Sequence, residues 1–392
     1  MEYKRASEVL YKGQMKEGMI GTPETLPCFL TTAFVMKDLD ELGDVTQKKG
    51  YTYIRKSNPN RTALAEKISY LEGSEDSLIF SSGMGAITTS LLTVLKPGYH
   101  VVCNSNIYGE TYEVLTEILP KMNVSVSFVD LRDLAKAAAA LTPRTKLLYT
   151  EVLSNPTLTL ADIEELSRMA HDAGALCMVD NTFTSPVSIR PLEWGVDLVV
   201  NSLTKFLNGH SDVMAGSVSA RSDLVAQIQH MSMLCGTAGD PFSSWLVCRS
   251  LETASLRIRQ QMNSAARLAG ALALAPQVKD VNHPSLPDYP QKELAGHLFR
   301  GGPGCAMLSF TLPEDRERIN AFMDALHFAR YAPTLGGVRT TLSHPVTSSH
   351  PHVPDAVRRS MGITPGMIRV SVGLEDPDDL IGDFLQALHV FN

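Results

Sequence analysis

The sequence has few of the features that mark membrane-spanning and secreted proteins. No apolar run reaches the roughly 20 residues that a helix needs to cross a bilayer. The charged start, Met1-Glu2-Tyr3-Lys4-Arg5, is followed by no apolar signal core. Its six cysteines are scattered without a C-x-x-C pair, which argues against a disulfide framework or a zinc site. We therefore expect reduced thiols, no metal and a cytoplasmic protein.

An excess of positive charge is also lacking. The sequence has 35 lysines and arginines against 42 aspartates and glutamates, a formal net charge of −7. This balance argues against nucleic acid as a main partner. The remaining composition, 44% hydrophobic and 20% charged over 392 residues, is that of a globular protein long enough for two domains. Glycines and prolines without strong periodicity predict an extended arm over residues 1 to about 50, and the sequence predicts helices over 242–259 and 315–329.

One lysine follows a well-defined apolar strand. Residues 197–201 (DLVVN) form a short, β-branched run that ends in polar residues, which predicts a buried strand. Lys205 comes just after it, with hydroxyls at Ser202 and Thr204, where an α/β sheet presents its ligand crevice. A lysine desolvated there can act as a nucleophile or Schiff-base former. The alternative is a solvated surface lysine.

An acid occupies the equivalent place on the preceding strand. Asp180 ends the apolar segment 175–180 (ALCMVD), so two consecutive strands deliver a carboxylate and an amine at their carboxyl ends. Pyridoxal phosphate needs this pair, because the lysine binds its aldehyde and the carboxylate keeps its pyridine nitrogen protonated. Taken alone, Asp180 could simply begin a turn.

Two other segments are suited to bind a phosphate group. The predicted strand 77–80 leads through Ser81-Ser82-Gly83-Met84-Gly85 into an apolar helix, whose free N–H groups would attract an anion. The Walker pattern GxxxxGK[ST] is absent, and a strand-to-helix turn without a ligand is the alternative. Arg55 stands two residues after Tyr53 in a loop, where it can clamp phosphate or remain a surface charge.

Together these motifs resemble the cysteine/methionine-metabolism family of pyridoxal-phosphate enzymes, the cystathionine γ-lyase, methionine γ-lyase and cystathionine γ-synthase group. The resemblance rests on VDNTF at 179–183 and SLTKFLNGHSDVMAG at 202–216, and extends from about residue 26 to the end. It implies an α/β, aspartate-aminotransferase-like (fold type I) architecture. In this architecture a mostly parallel seven-stranded sheet forms the large domain, and a smaller α+β domain follows.

The same resemblance implies the domain boundaries and the assembly. An N-terminal arm at 1–55 would contact a neighbouring subunit, 56–255 would form the cofactor-binding domain and 256–392 the small domain. The cofactor would be pyridoxal 5′-phosphate. The protein would be a homotetramer, a dimer of dimers with shared active sites, that acts on a small amino-acid substrate with no membrane or nucleic-acid partner.

The resemblance also implies a role for each site residue. Lys205 holds the cofactor and shuttles the α-proton, Asp180 pairs with the pyridinium, and Tyr108 stacks on the ring and relays protons. Asn155, in an Asn-Pro segment that is otherwise a plain turn, hydrogen-bonds the ring oxygen. The phosphate ligands are Ser82, Gly83, Met84, Ser202, Thr204 and, from the neighbouring subunit, Tyr53 and Arg55.

The substrate-binding residues implied are Arg369, Asn155, Thr334 and Arg339. Arg369 lies among apolar neighbours in a predicted strand, so its charge needs a partner, either the substrate α-carboxylate or an internal salt bridge. Arg339 replaces the usual acid of the family; facing the pocket it would favour an anionic side chain, and the alternative is that it points to solvent. Glu110 also departs from the family, since methionine γ-lyases commonly carry cysteine there.

Three functions remain open at this point. The leading one is a carbon–sulfur lyase, which releases a thiol, ammonia and a 2-oxo acid by β- or γ-elimination. The alternative is a γ-replacement transferase of the cystathionine γ-synthase or O-acylhomoserine sulfhydrylase type. The third is a catalytically inactive relative, which the presence of Lys205, Asp180 and Arg369 argues against.

Overall fold

The structure is a computed structural model that describes residues 4–12, 23–48, 50–349, 351 and 354–392. Part of the predicted arm, residues 13–22, therefore lies outside the described residues. The sequence predicts an extended arm, but the described part of the arm contains a helix at Leu39–Gln47. Asp38 caps this helix by accepting a hydrogen bond from the Glu41 N–H (2.9 Å), yet no residue of the helix is buried.

Helices and strands alternate along most of the described chain. The helices are α1 (Arg5–Glu8), α2 (Leu39–Gln47), α3 (Pro59–Glu72), α4 (Gly83–Val94), α5 (Gly109–Glu113), α6 (Leu134–Ala140), α7 (Ile163–Asp172), α8 (Ser185–Ser188), α9 (Ser222–Cys235), α10 (Pro241–Leu251), α11 (Ala254–Ala273), α12 (Lys292–Leu298), α13 (Arg316–Ala325), α14 (Asp355–Ser360) and α15 (Pro377–Ala387). The strands are β1 (Asp76–Phe80), β2 (His100–Asn104), β3 (Ser125–Val129), β4 (Thr145–Glu151), β5 (Leu176–Asp180), β6 (Leu198–Ser202), β7 (Gly216–Ala220), β8 (Asp280–Asn282), β9 (Met307–Thr311), β10 (Arg330–Tyr331), β11 (Thr341–Ser343) and β12 (Met367–Ser371).

The larger sheet has seven strands in the order β1-β7-β6-β5-β4-β2-β3. The strands from β6 to β3 pair in parallel, and β7 runs antiparallel to both β6 and β1. The predicted mostly parallel sheet is therefore confirmed. Because β4, β5 and β6 are parallel neighbours, their carboxyl ends meet at one edge, where parallel sheets bind ligands.

The sheet is buried on both faces, as parallel sheets in α/β proteins are. Side chains alternate across a strand, so Cys177 and Val179 pack into one core cluster while Met178 packs into the other. Helices α4 and α9 supply apolar side chains to the second cluster, including Leu91 and Ile228. This two-sided packing holds β5 and β6 in the centre of the sheet.

A second sheet of five strands, in the order β10-β11-β12-β9-β8, follows the long helix α11. Its strand β12 carries Arg369, paired in register with Ser309 of β9 and Ser343 of β11. The carboxyl end of the chain returns as α15, which packs on α11 and α13.

Three segments differ from the sequence expectations. The helix predicted over 242–259 is two helices, since α10 ends at Leu251 and α11 begins at Ala254. The helix predicted over 315–329 ends at Ala325, and the chain then enters β10. The strand β7 is not anticipated, because its composition (GSVSA) is small and polar despite its complete burial.

Two further features are the state of the cysteine thiols and the length and apolar character of the helices. All six cysteines are free. Among the helices in the described part of the chain, none combines the length and apolar character needed to cross a bilayer.

Candidate active site

A cavity of about 290 Å³ opens at the carboxyl ends of β4, β5 and β6. It is bordered by both sheets and by the start of α4. The sequence-predicted residues that line it are Ser82, Gly83, Met84, Tyr108, Asn155, Asp180, Ser202, Thr204, Lys205 and Arg369. Side chains predicted from separate stretches of the chain are thus brought to one place.

Lys205 follows β6 in a tight turn. Its N–H donates to the Ser202 carbonyl at 3.2 Å, and the 335–337 segment packs against its backbone. Burial lowers the pKa of the Lys205 amine, and the positive charge of Arg369 lowers it further, while Glu110 opposes this shift. The neutral amine, which is the nucleophilic and basic form, is therefore easier to reach here than on the surface.

Asp180 is held at the end of β5 by Thr182. The Thr182 N–H donates to Asp180 Oδ1 at 2.8 Å, and Thr182 Oγ1 accepts from the Ser202 N–H at 2.8 Å. Thr182 therefore ties the acid to the Lys205 turn. Burial raises the pKa of the Asp180 carboxyl, and its hydrogen bonds with Thr182 oppose that shift.

A second buried acid stands beside Asp180. Glu151 is its register partner on β4 and accepts a hydrogen bond from the Tyr108 N–H at 2.6 Å. Burial, reinforced by the charge of Asp180, raises the pKa of Glu151 to about 8. The two adjacent buried carboxyl groups therefore disfavour each other's ionisation.

The start of α4 has the capped first turn and glycine approach that an anion site requires. Ser82 caps the helix by accepting from the Gly85 N–H at 2.9 Å. A Cβ on Gly83 would stand 2.9 Å from the Ser202 Cβ, so glycine permits the close approach of α4 to β6. Thr204 is partly committed elsewhere, because its hydroxyl donates to the Ala215 carbonyl at 3.2 Å.

Tyr108 and Glu110 lie together at one side of the cavity. Burial strongly raises the pKa of the Tyr108 phenol, and Glu110 raises it further by its charge and as a hydrogen-bond acceptor. Tyr108 is therefore a proton donor rather than a phenolate at neutral pH.

Arg369 is buried without a carboxylate partner among the described residues. Its Nη1 donates to Asn155 Oδ1 at 2.7 Å and its Nη2 to the Thr334 carbonyl at 3.5 Å, while its buried Nε has no partner there. Burial lowers the pKa of Arg369 to about 10. The internal salt bridge considered from sequence is thus not formed, and the guanidinium can receive a carboxylate.

A family model for Cys/Met metabolism PLP-dependent enzymes matches residues 7–389. The chain belongs to this family. Its members are PLP-dependent, so the protein is an enzyme with pyridoxal phosphate as cofactor.

Relatives of the family differ in the reaction named for them. Cystathionine beta-lyase MetC of Bacillus subtilis (strain 168) is 38% identical over 365 residues, which are 93% of this chain and 91% of that protein. L-methionine gamma-lyase of Porphyromonas gingivalis is 37% identical over 368 residues, 92% of each chain. Cystathionine gamma synthase from Xanthomonas oryzae pv. oryzae has a TM-score of 0.93, 34% identity and coverage of 100% of this chain and 99% of that chain. This likeness confirms the fold type I architecture.

The residues of this family member fit the cofactor. The Arg369 Nε has no partner among the described residues, Gly83 permits a close approach, and the Lys205 amine shares the cavity with the buried Asp180 carboxylate. These features suit a phosphorylated pyridine aldehyde. Asp180 would face the ring nitrogen, and the start of α4 would hold the phosphate.

Four predicted residues do not line the cavity of the single chain. Tyr53 is 44% exposed, and Arg55, also exposed, donates to the Met233 carbonyl at 2.8 Å. Thr334 contacts Arg369 only through its carbonyl oxygen. The Arg339 side chain is exposed outside the cavity, which agrees with the alternative that it faces solvent and gives no support to a pocket role.

Sequence reasoning assigns no separate role to Thr182 or Phe183, although both lie in the VDNTF motif and both line the cavity. The Arg369 guanidinium carbon lies 6.0 Å from the centre of the Phe183 ring. The sequence signal for such residues is a polar and an aromatic side chain within three positions after an acid at a strand end.

Proposed function

We propose that this enzyme is a carbon–sulfur lyase of sulfur amino-acid metabolism, which eliminates a thiol from a methionine-, cystathionine- or cysteine-type substrate and, with one molecule of water, yields ammonia and a 2-oxo acid. The observation that carries the elimination chemistry is the pairing of a basic lysine with a protonated phenol in one cavity. Elimination needs a base for the α-proton, and for a γ-leaving group also for a Cβ proton, and an acid for the departing sulfur. Lyases among the relatives support the same assignment.

Each residue has a defined task in this reaction. Arg369 binds the substrate α-carboxylate and thereby fixes the Cα–H bond toward Lys205. Bound pyridoxal phosphate supplies an electron sink that stabilises negative charge at Cα. The Lys205 Nζ accepts the α-proton, and the lowered pKa of its amine makes the neutral form available. The Tyr108 hydroxyl donates a proton to the sulfur as its bond to carbon breaks.

A γ-replacement transferase is the second candidate. Cystathionine gamma-synthases among the relatives favour it, and the described residues contain the same base and acid for both reactions. In a transferase, the phenol would protonate an oxygen leaving group and a thiol would then add. The substrate side-chain region decides between the two.

The first experiment tests the role of Lys205. Purified wild type should absorb as a bound cofactor and retain it covalently after borohydride reduction, whereas Lys205→Ala should not. Lys96→Ala, at an exposed lysine, is the control and should behave as wild type. Retention of covalent cofactor by Lys205→Ala would refute the assignment.

The second experiment separates lyase from transferase. L-methionine, L-cystathionine, L-cysteine and O-acetyl-L-homoserine are supplied separately, with and without an added thiol. Release of 2-oxo acid from a thioether without added thiol supports the lyase. Consumption of O-acetyl-L-homoserine only in the presence of a thiol would contradict it and support the transferase.

The same proposal covers assembly, domains and compartment. We propose a homotetramer built from dimers with shared sites, because Tyr53 and Arg55 are exposed and could complete a neighbouring cavity. The division into an arm (1–55), a large domain (56–255) and a small domain (256–392) accords with one sheet in each of the latter two ranges. Six free cysteines suit a reducing, cytoplasmic compartment. Light scattering of the purified protein tests the tetramer, and cell fractionation tests the compartment.

A further inference from the structure

One fully buried acid plays no part in the mechanism above. Glu72 is the last residue of α3, and its relative exposure is 0%. Asn201 Nδ2 donates to Glu72 Oε1 at 2.6 Å, and Asn181 Nδ2 lies 3.2 Å from the same oxygen and 3.5 Å from Oε2. A carboxyl group in the core therefore binds two asparagines from neighbouring strands.

The two asparagines directly adjoin residues of the cofactor site. Asn181 follows Asp180, and Asn201 precedes Ser202. Because side chains alternate across a strand, Asp180 and Ser202 face the cavity while their neighbours point to the opposite face of the sheet, toward Glu72.

The strand ends are thus joined on both faces of the sheet. On the cavity face Thr182 bonds both the Asp180 carboxylate and the Ser202 N–H. On the opposite face Glu72 bridges Asn181 and Asn201. Asn181 is fixed further, since its Oδ1 accepts from Thr184 Oγ1 at 2.6 Å and its Nδ2 donates to the Ile189 carbonyl at 3.1 Å.

Glu72 has no ion-pair partner within 4.0 Å among the described residues. Burial raises the pKa of its carboxyl to about 7, while the amides of Asn201 and Asn181 and the more distant charges of Arg190 and Arg5 oppose that shift. A buried acid held mainly by two amides is costly for stability alone, and such groups concentrate where geometry matters.

We propose that Glu72 is a positioning residue for the cofactor, which holds the ends of β5 and β6 so that Asp180 and Ser202 face the ligand at the correct separation. Without its oxygens, the Asn201 amide loses its acceptor, the Asn181 amide keeps only the Ile189 carbonyl, and the link between the two strand ends on this face of the sheet is lost. The inference rests on the proposed roles of Asp180 and Ser202 at the cofactor, and it assigns Glu72 no contact with the reacting atoms.

The test compares substitutions at two glutamates of α3. Glu72→Gln keeps the shape and one acceptor oxygen, and Glu72→Leu removes both acceptors. Glu66→Gln and Glu66→Leu, at an exposed position of the same helix, are the matched controls. If Glu72→Leu fails to fold, Asn201→Ala tests the same contact, because it removes one amide donor to Glu72 and leaves α3 unchanged.

The readouts are the dissociation constant of pyridoxal phosphate, the pH midpoint of the bound-cofactor absorbance, and the unfolding temperature. We expect Glu72→Leu and Asn201→Ala to weaken cofactor binding at least tenfold and to shift the pH midpoint, measured well below their unfolding temperatures. Glu72→Gln should rescue binding to within about threefold of wild type, and both Glu66 variants should match wild type.

Two results would overturn the proposal. One is a lowered unfolding temperature with unchanged cofactor affinity and pH midpoint, which would make Glu72 merely structural. The other is equal loss in Glu72→Gln and Glu72→Leu, which would exclude positioning through amide acceptors. Failure of the proposed function is a separate result, since it would appear as a wild-type protein that binds no cofactor through Lys205.

Discussion

Glu110 places a negative charge at the mouth of the cavity, beside Tyr108 and Lys205. It has two effects that are separable. It adds to the effect of burial in raising the pKa of the Tyr108 phenol, and we expect it to repel an anionic group that a substrate carries beyond its reacting carbon. The first effect concerns the acid of the reaction, and the second concerns the choice of substrate.

Replacement of Glu110 tests the second effect. Glu110→Gln should raise kcat/KM for O-succinyl-L-homoserine relative to O-acetyl-L-homoserine by about fivefold, since a charge repulsion of about 1 kcal/mol is removed. Glu113→Gln, at an exposed position of the same helix, is the control. An unchanged ratio in steady-state assays would show that Glu110 does not face the substrate side chain.

Arg369 acts on both substrate and base. Arg369→Leu should reduce kcat/KM by about 100-fold or more, because a buried carboxylate loses its charged partner at a cost of about 3 kcal/mol. It should also raise the pKa of Lys205, since the Arg369 charge lowers it, so the rising limb of the pH profile moves to higher pH. Arg330→Leu, an exposed arginine of the same sheet, should change neither quantity.

At the scale of elements, the site depends on where β5 and β6 end. These strands are short because polar residues follow their apolar cores. The amides of Asn181 and Asn201 then hydrogen-bond both strand ends to Glu72 of α3. A helix and two strands therefore share one buried polar cluster, whose charge depends on pH.

The stability of this cluster should follow the titration of Glu72. Its pKa is about 7 in the folded chain and 4.5 as the ordinary value, so the folded state binds more protons between those values. The unfolding free energy of wild type should therefore fall, relative to Glu72→Gln, as pH rises from about 4.5 through about 7, by on the order of 1–3 kcal/mol. Denaturant titrations across this range measure it; parallel pH curves for the two proteins would contradict it.

Sequence patterns predict the elements that bury β-branched runs, such as β6, and the residues at their ends, such as Lys205 and Asp180. They do not predict β7, because its GSVSA composition carries no apolar signal and its burial comes from long-range pairing with β1 and β6. Glu72 is likewise invisible, since an acid at a helix end is usually solvated and only tertiary packing buries it. Arg339 stays open between pocket and solvent in the sequence, because a change of charge in a family motif does not fix where the side chain points.

At the scale of the whole molecule, Tyr53 and Arg55 lie outside the cavity of their own chain. Their proposed role as phosphate ligands requires a second chain that presents its cavity to them. Arg55 is anchored by the Met233 carbonyl, and Arg61 of α3 binds the preceding Ile54 carbonyl, so the loop is held ready for such a contact.

Mixed oligomers test this sharing. Arg55→Ala and Lys205→Ala should each be nearly inactive alone, yet refolding equal amounts together should restore about one quarter of wild-type activity. Half of the dimers are then mixed, and one of the two sites in each mixed dimer is intact. Activity no greater than the sum of the separate variants would show that each site is complete within one chain.

Helix α3 connects the Arg55 loop to the Glu72 cluster. Its first turn follows the Arg55 loop, and its last residue, Glu72, binds the amides behind Asp180 and Ser202. A helix of 14 residues is a rigid rod of about 21 Å. In a dimer with shared sites, binding of a phosphate at the neighbour's site would act on the start of α3, and the Asn181 and Asn201 contacts of Glu72 at its other end would respond. Cofactor loading of the two subunits would then be cooperative, and a half-loaded dimer would be a minor species.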